Sequence, residues 1–517
     1  MRLALPLLAA MALAGCNAAP SPESTAELTK AALAEPHRPL WHYSPPSGWM
    51  NDPNGMVWQD GEYHLYYQYY PDDTVWGPMH WAHAVSPDMV NWETLPIALA
   101  PDEQGYIFSG SAVVDKANTA GFGADALVAI YTIHDPVRGE AGTQDHESQG
   151  IAVSTDKGRS FTKYAGNPVL PNPGKTQDFR DPSVFWDEAR GRWVMALSVH
   201  DHVNFYASAN LKEWTLLSSF GEGIGAQGGV WECPNLFPIA LEGTGEQRWV
   251  LIQNLNPGGP QGGSGTQYFV GWFDGESFTL DPEFDKRLKR DGAVWLDEGV
   301  DNYAGVTWND TPDGRRLFIG WMSNWLYAQK VPTGKWRSAM TAPRELKLHR
   351  SPDGPELRSR PAPELEQLRG DKIAITDGDF PAGIMPSGEV ELRVQLPESG
   401  GSFALELSNS KGEVLSLGLD ASGQYYVDRS KAGPDDWAPG FATTHRARRR
   451  AMGRVVTLRI LLDRSSAELF ADGGRTVMTE TFFPSDDFSN ARLIMADGAE
   501  LVGGTAWPLG SIFREPE

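Results

Sequence analysis

Three carboxylates stand in settings that suit chemistry. Asp52 lies in Trp49-Met-Asn-Asp-Pro-Asn-Gly55, between an asparagine and a proline, in a loop-like stretch that ends in glycine. Asp181 lies in Phe179-Arg-Asp-Pro182, where the neighbouring Arg180 would favour its charged form. Glu232 lies in Val230-Trp-Glu-Cys-Pro-Asn235, flanked by Trp231 and Cys233. If it is buried there, desolvation raises its pKa toward what a general acid needs near neutral pH. Each has a plainer reading: a turn aspartate bonding its own backbone, a local salt bridge before a proline, a glutamate on the wet face of a strand. Together they suggest glycoside hydrolysis, which sets a carboxylate on one side of an anomeric carbon and a protonated carboxyl on the other.

Residues 129 and 51 positions apart (Asp52 to Asp181, Asp181 to Glu232) meet only if the fold returns them to one place. From His37 to about Arg350 the chain is a series of short apolar or aromatic runs, such as 63–70, 126–133, 193–199 and 249–253, broken by Gly, Pro, Asn and Asp. This predicts an all-β domain. A degenerate motif recurs: Ser86-Pro-Asp-Met-Val-Asn-Trp92, Ser154-Thr-Asp-Lys-Gly-Arg-Ser-Phe161 and Ser208-Ala-Asn-Leu-Lys-Glu-Trp214, with a weaker echo at Phe273-Asp-Gly-Glu-Ser-Phe278. Each is a polar turn after a strand that leads to an aromatic. Intervals of 68 and 54 residues fit propeller blades, about five over residues 37–351, with a long-loop sandwich as the alternative. In a propeller the innermost strands converge on an axial pocket, where the three acids could meet. From 371 to 517 the texture changes to period-two alternation, as in 389–396, which predicts a β-sandwich. Residues 352–370, rich in Pro and Glu, read as a linker between the two.

The N-terminus begins with Arg2 and an apolar run that ends in Leu13-Ala14-Gly15-Cys16, too short to span a bilayer as a mature helix. The ending resembles a bacterial lipobox. It implies export, lipidation at Cys16 of a signal peptide spanning residues 1–16, and a flexible tether over 17–36. Asn17 in place of aspartate points weakly to an outer membrane. With Cys16 lipidated, Cys233 has no disulfide partner. The formal charge of −23 argues against nucleic acid and polyanionic substrates and is compatible with a neutral one. No metal or cofactor is expected. His80 and His83 lack zincin spacing, His146 stands as one histidine in a polar loop, and the glycine-rich stretch 258–265 lacks the Lys-Ser/Thr ending of a phosphate loop. The 19 tryptophans could stack on sugar rings, but their number alone favours core filling.

At these residues the chain resembles glycoside hydrolase family 32, which includes invertases, inulinases and levanases. Trp49-Met-Asn-Asp-Pro-Asn-Gly55, Phe108-Ser-Gly-Ser111, Phe179-Arg-Asp-Pro182 and Trp231-Glu-Cys-Pro234 match its motifs in order, and Trp41-His-Tyr43 fits upstream. The resemblance implies a five-bladed β-propeller followed by a C-terminal β-sandwich and a retaining reaction on β-fructosyl units. Asp52 would be the nucleophile, Glu232 the acid/base and Asp181 the transition-state stabiliser. Trp49, Asn51, Gln68, Trp76, Phe108, Ser109, Arg180 and Trp321 would line the fructosyl subsite. The stretches 256–271, 301–308 and 319–325 are similar to exo-acting levanases and inulinases. That implies fructan as substrate, with sucrose as a second candidate. A sucrose-preferring invertase, a fructosyltransferase and a non-catalytic fructan-capturing lipoprotein are the competing readings. Two departures stand out. Asn235 replaces a frequent aspartate, which is expected to lower the pKa of Glu232. Trp272 replaces an aspartate of similar levanases. The sandwich is expected to brace the propeller rather than bind glycan.

Overall fold

The computed structural model describes residues 33–376, 380 and 383–513. Cys16 and residues 17–32 of the expected tether lie outside the described residues. Residues 33–36, read as tether from the sequence, instead sit against the fold. Glu35 accepts from Arg38 Nε at 2.9 Å and pairs with Lys335 at 3.1 Å, and Arg464 donates to the Leu33 carbonyl at 2.8 Å. The anchoring of the chain to both domains therefore begins before His37.

The first domain is a five-bladed propeller. The innermost strands of its blades are Gly48–Gln59, Tyr106–Asp115, Phe179–Asp187, Val230–Ala240 and Tyr303–Thr307, and they touch one another in a closed ring. Each leads outward through antiparallel partners. Middle strands such as Ala126–His134 are buried on both faces, because blades stack face to face, and so read as continuous apolar runs. The recurring serine motif is the turn from third to fourth strand in blades one to three. Ser86, Ser154 and Ser208 end the third strands, and their hydroxyls bond Asp88, Asp156 and Asn210 two residues on. Asp88 and Asn210 then accept the next backbone N–H groups, and Trp92 and Trp214 close the turns onto the carbonyls of Met89 and Leu211. Asp274 does the same in blade four through Glu276 N and Ser277 N.

The ring closes where Trp336–Arg337 pairs in parallel with Gly48 and Trp49. Trp308 of the fifth blade buries its ring in the first blade's core and donates to the His64 carbonyl at 3.0 Å. One helix of some length was not foreseen. Pro282–Asp291 is started by Asp281, whose side chain caps Glu283 N and Phe284 N ahead of a proline at the first turn, and it is ended by Gly292.

The expected linker over 352–370 needs correction. Gly354–Pro361 is the outer strand of blade five, paired along its length with Arg344–Ser351. Its prolines stand at positions an edge strand tolerates. The connection is a single 3-10 turn, Pro363–Leu368. Beyond it, six- and five-stranded antiparallel sheets pack face to face. In Gly388–Gln395 the alternate residues Val390, Leu392 and Val394 enter the sandwich core.

The two domains meet across buried charge. Arg344 of the propeller donates to Asp297 at 2.9 Å and to Glu468 and Thr479 of the sandwich. Glu468 also contacts His42 at 2.8 Å, and His42 contacts Asp463 at 2.9 Å. Burial alone would push the His42 imidazolium down, but these two carboxylates hold it above its ordinary value. Trp41-His-Tyr43 is thus a strut between domains.

Candidate active site

Every innermost strand breaks register with its neighbour at the end that carries the singled-out residues. The irregularities fall at Asn51-Asp52 in blade one, Phe108-Ser109 in blade two, Asp181-Pro182 in blade three, Cys233-Pro234 in blade four and Ala304-Gly305 in blade five. A bulge turns a side chain out of the sheet and toward the axis. The local sequence favours it. Pro53, Pro182 and Pro234 have no N–H to give a ladder. Asp181, Cys233 and Ala304 adopt φ of 66°, 45° and 52°, a costly region for non-glycine residues that the surrounding bonds must hold.

Side chains satisfy the backbone groups that the bulges free. Asn54 donates to the Asp52 carbonyl at 3.0 Å and accepts from Gly110 N. Thr132 accepts Asp181 N at 2.9 Å. Gln253 and Asn254 donate to the carbonyls of Glu232 and Cys233 at 2.8 and 2.9 Å. Gly110 has no room for a side chain, since an added Cβ would lie 2.0 Å from the Ile130 carbonyl oxygen.

These devices gather one carboxylate from each of three blades. Asp52 Oδ2 accepts the Ser109 hydroxyl at 2.6 Å, and Oδ1 accepts Asn51 Nδ2 at 2.9 Å. Asn51 is itself fixed by Trp49 Nε1 at 2.7 Å. Asp181 Oδ2 accepts the Cys233 backbone N–H at 2.9 Å. The Cys233 thiol stands between Asp52 and Asp181, 3.5 and 3.6 Å from their Oδ2 atoms. Glu232 Oε1 accepts Arg180 Nε and Nη2 at 3.2 and 3.1 Å, and Oε2 accepts the Tyr303 hydroxyl. Arg180 is held in turn by Glu147 at 3.1 Å and Asp178 at 2.8 Å.

The electrostatics favour a proton held within the group. Burial, reinforced by Asp52, pushes the Glu232 carboxyl up against the opposing pull of Arg180 and Tyr303. Burial, with Glu232 and Asp52 nearby, pushes Asp181 well above the usual carboxylate range, and Arg180 offsets this only in part. The centre therefore favours keeping a proton. Burial and the adjacent carboxylates keep the Cys233 sulfur a thiol and Tyr303 a phenol, so both remain donors. Burial would raise Glu147, but the Arg180 guanidinium outweighs it and holds that carboxyl below its ordinary value.

Asn51, Asp52, Ser109, Arg180, Asp181 and Glu232 come together as the sequence motifs imply. Phe108 and Trp76 flank the centre edge to face with ring centroids 6.0 Å apart, and Trp76 is 37% exposed. Gln68 stands behind them, donating to the Ile107 carbonyl at 3.0 Å and fixing the backbone ahead of Phe108. Trp49 and Trp321 are completely buried. They pack against Trp325 under the centre as supports and offer no open face to a sugar, contrary to the subsite role expected of them. Asn235 turns from Glu232 toward Thr307 and Ser183, accepting Thr307 N and Oγ1 at 3.0 and 2.8 Å. Trp272 lies on the outer part of blade four, 38% exposed under the Arg248 guanidinium, away from the centre. Tyr303, Glu147 and Asp178 were missed. Tyr303 had a signal, because it opens the fifth innermost strand as Asp52, Asp181 and Glu232 stand near the start of three others.

Residues 42–361 match the family model described as glycosyl hydrolases family 32 N-terminal domain, and residues 364–508 match the family 32 C-terminal domain. The chain is 45% identical over 497 residues to a levanase from Bacillus subtilis, covering 93% of this chain and 71% of that protein. It is 40% identical over 501 residues to an extracellular exo-inulinase from Aspergillus ficuum, covering 90% and 93%. Among solved structures, exo-inulinase from Aspergillus awamori superposes with a TM-score of 0.84 at 36% identity, covering 93% of this chain and 99% of that one. A β-fructofuranosidase from Schwanniomyces occidentalis complexed with fructosyl-erythritol gives 0.81 at 31%, covering 92% and 98%.

Proposed function

The chain belongs to glycosyl hydrolase family 32, and on that premise we propose that it removes terminal β-D-fructosyl units from fructans with retention of configuration. One observation carries the reading: bulges in three blades set Asp52, Asp181 and Glu232 around one axial position, with Glu232 alone gripped by both a guanidinium and a phenol. In the first step an Asp52 oxygen bonds the fructosyl anomeric carbon. The glycosidic bond breaks, and its oxygen takes the Glu232 proton. In the second step Glu232 removes a proton from water, the water oxygen bonds the same carbon, and fructose and the Asp52 carboxylate are released. With the proton of the centre on Glu232, an ionised Asp181 accepts from sugar hydroxyls and gains strength as positive charge develops on the ring. Arg180 and Tyr303 hold Glu232 through both proton transfers. Similarity to a levanase and to exo-inulinases supports exo action on fructan over a sucrose preference, transfer or mere capture.

Sugar release from levan, inulin and sucrose, measured beside Asp52→Asn and Glu232→Gln, tests this. Free fructose should appear from a fructan faster than from sucrose. A positioned general acid is worth ~10²–10⁴-fold, so Glu232→Gln should lose at least that much while remaining folded. A folded, fully active variant of either residue removes it from its role. The same proposal includes a lipid anchor at Cys16 in an exported protein. It is supported by the Leu13-Ala14-Gly15-Cys16 sequence, and it fails if Cys16→Ser leaves the protein in the membrane fraction.

A further inference from the structure

His134, His146 and Glu147 belong to one hairpin of blade two. His134 ends the strand Ala126–His134, Glu147 begins Glu147–Ser154, and the two are paired directly across the sheet. Glu147 Oε1 lies 3.5 Å from His134 Nδ1 and 3.8 Å from His146 Nε2, and the three atoms are all within 4.8 Å of one another. His146 Nδ1 is 2.8 Å from the Thr143 carbonyl oxygen. That contact puts a ring proton on Nδ1, so in the neutral ring the lone pair is on Nε2, facing a carboxylate. His134 Nδ1 is buried, and the Glu147 oxygen that faces it is too far for a well-made hydrogen bond. Two imidazole nitrogens and a carboxylate oxygen converge on one point, and a cation between them would satisfy all three.

We propose that this hairpin is a transition-metal site of the zinc type, and that the bound ion inhibits the enzyme. Two imidazoles and a carboxylate are a ligand set that suits Zn²⁺. At metal–ligand distances of about 2.0–2.2 Å, tetrahedral ligands stand ~3.3 Å apart, so the carboxylate is nearly in place against both rings and the binding of an ion would draw the two imidazoles together. The Thr143 carbonyl supplies the outer partner that a ligating histidine ordinarily has on its other nitrogen. Glu147, Asp178, Asp181 and Glu232 all act on the one Arg180 guanidinium, and a further cation, like the proton this centre keeps, would offset part of that carboxylate crowding.

The inhibition follows from what the ion would compete with. Arg180 Nη1 lies 3.1 Å from both Glu147 oxygens, while Nε and Nη2 hold Glu232. An ion on Oε1 takes electron density that Arg180 now uses and repels the guanidinium, so Glu232 loses one of its two holders. The ion also fixes His134, whose ring stacks 4.1 Å from Phe108 at the centre's edge.

The test is calorimetric titration of metal-free protein with zinc chloride at about pH 7.5, where an ordinary imidazole is mostly unprotonated. One micromolar-range site is expected, weakened roughly tenfold or more in His146→Ala and in His146→Gln. Co²⁺ should give a four-coordinate visible spectrum that the same variants lose. An unchanged Tm in the variants rules out loss through misfolding. Binding does not depend on the proposed reaction. The second readout, zinc inhibition of fructose release in the wild type that is relieved in His146→Ala, rests on that reading. The proposal is overturned if zinc does not bind saturably or if both His146 variants bind it as the wild type does. It is also overturned if only His200→Ala abolishes binding, which would put the ion on the Asp178–His200 pair.

Discussion

Deleting one hydroxyl, in Tyr303→Phe, should move the alkaline limb of kcat/KM upward by about one pH unit. The Tyr303 hydroxyl donates to Glu232 Oε2, and burial with the neighbouring Glu232 keeps it a donor across the working range. A hydrogen bond to an ionised group contributes about 1.5–3 kcal/mol and one to a neutral group about 0.5–1.5, so its loss disfavours ionised Glu232 by ~1–1.5 kcal/mol. At about 1.4 kcal/mol per unit, that is about one unit. The sign is upward, because the bond favours the carboxylate and the variant lacks it. The first step needs protonated Glu232, so activity would persist to higher pH. The phenyl ring keeps the burial, which separates the effect from repacking. The assay is kcat/KM on a fructan and on sucrose across the pH range, with Tm as a control. A limb that stays in place or moves to lower pH would refute the assignment of Glu232 as the group that must be protonated.

Four further outcomes follow from the same geometry. Glu232 has a folded-state pKa above that of an ordinary glutamate, so the wild type loses stability as pH rises from about 4.3 through that raised value. Glu232→Gln should therefore unfold at higher temperature than the wild type at neutral pH, by about 1.4 kcal/mol for each unit of the raise, with the gain absent at pH 4; calorimetry at both pH values decides it. Arg344→Met strands Asp297 and Glu468 as buried charges and should cost about 3–5 kcal/mol in denaturant unfolding; a near-neutral result would mean that water reaches this interface. In Gly110→Ala the new Cβ meets backbone, so the Ser109 bulge must shift, with a cost of about 1–3 kcal/mol and a fall in kcat from the displaced Asp52 partner; unchanged kcat would show that the bulge is not needed. Asn235→Asp adds a buried negative charge held by Thr307 and should raise the alkaline limb by less than Tyr303→Phe does; an unmoved profile ends the idea that this position tunes Glu232.

The sequence disclosed what depends on local chemistry. The serine turns announced blades because each needs a side-chain oxygen two residues before a tight bend, and the sandwich strands announced themselves by burying every other residue. Asp52, Asp181 and Glu232 could be found because each sits beside a proline or charged neighbour that regular structure does not need. What depends on long-range return was hidden. Glu147 lies in a polar loop sequence, and its value comes from Arg180, 33 positions later. Trp49 and Trp321 have the residue type of sugar platforms, and only packing against Trp325 shows them to be supports. Gly354–Pro361 looked like a linker because an edge strand tolerates the prolines and charges of a linker.

The sandwich has a part in the chemistry that its distance from the axis conceals. Residues 297–301 run along the sandwich strand Thr476–Thr481: Glu298 N donates to the Val477 carbonyl at 2.7 Å and Asp301 N to that of Thr479 at 3.0 Å, while Thr479 N and Thr481 N donate to the Asp297 and Asp301 side chains. Gly299 is pressed so close to Thr479 that an added Cβ would fall 2.3 Å from its nitrogen. Arg429 of the sandwich and Tyr327 of the propeller both bond Asp301. Two residues later the chain enters the fifth innermost strand at Tyr303. The sandwich thus sets the height at which that strand starts, and so the point from which Tyr303 reaches Glu232. A brace that merely stiffened the propeller could grip any surface of it. This one grips the segment that leads into the residue holding the acid/base, which explains why buried charge is tolerated at the interface where an apolar seam would have been simpler.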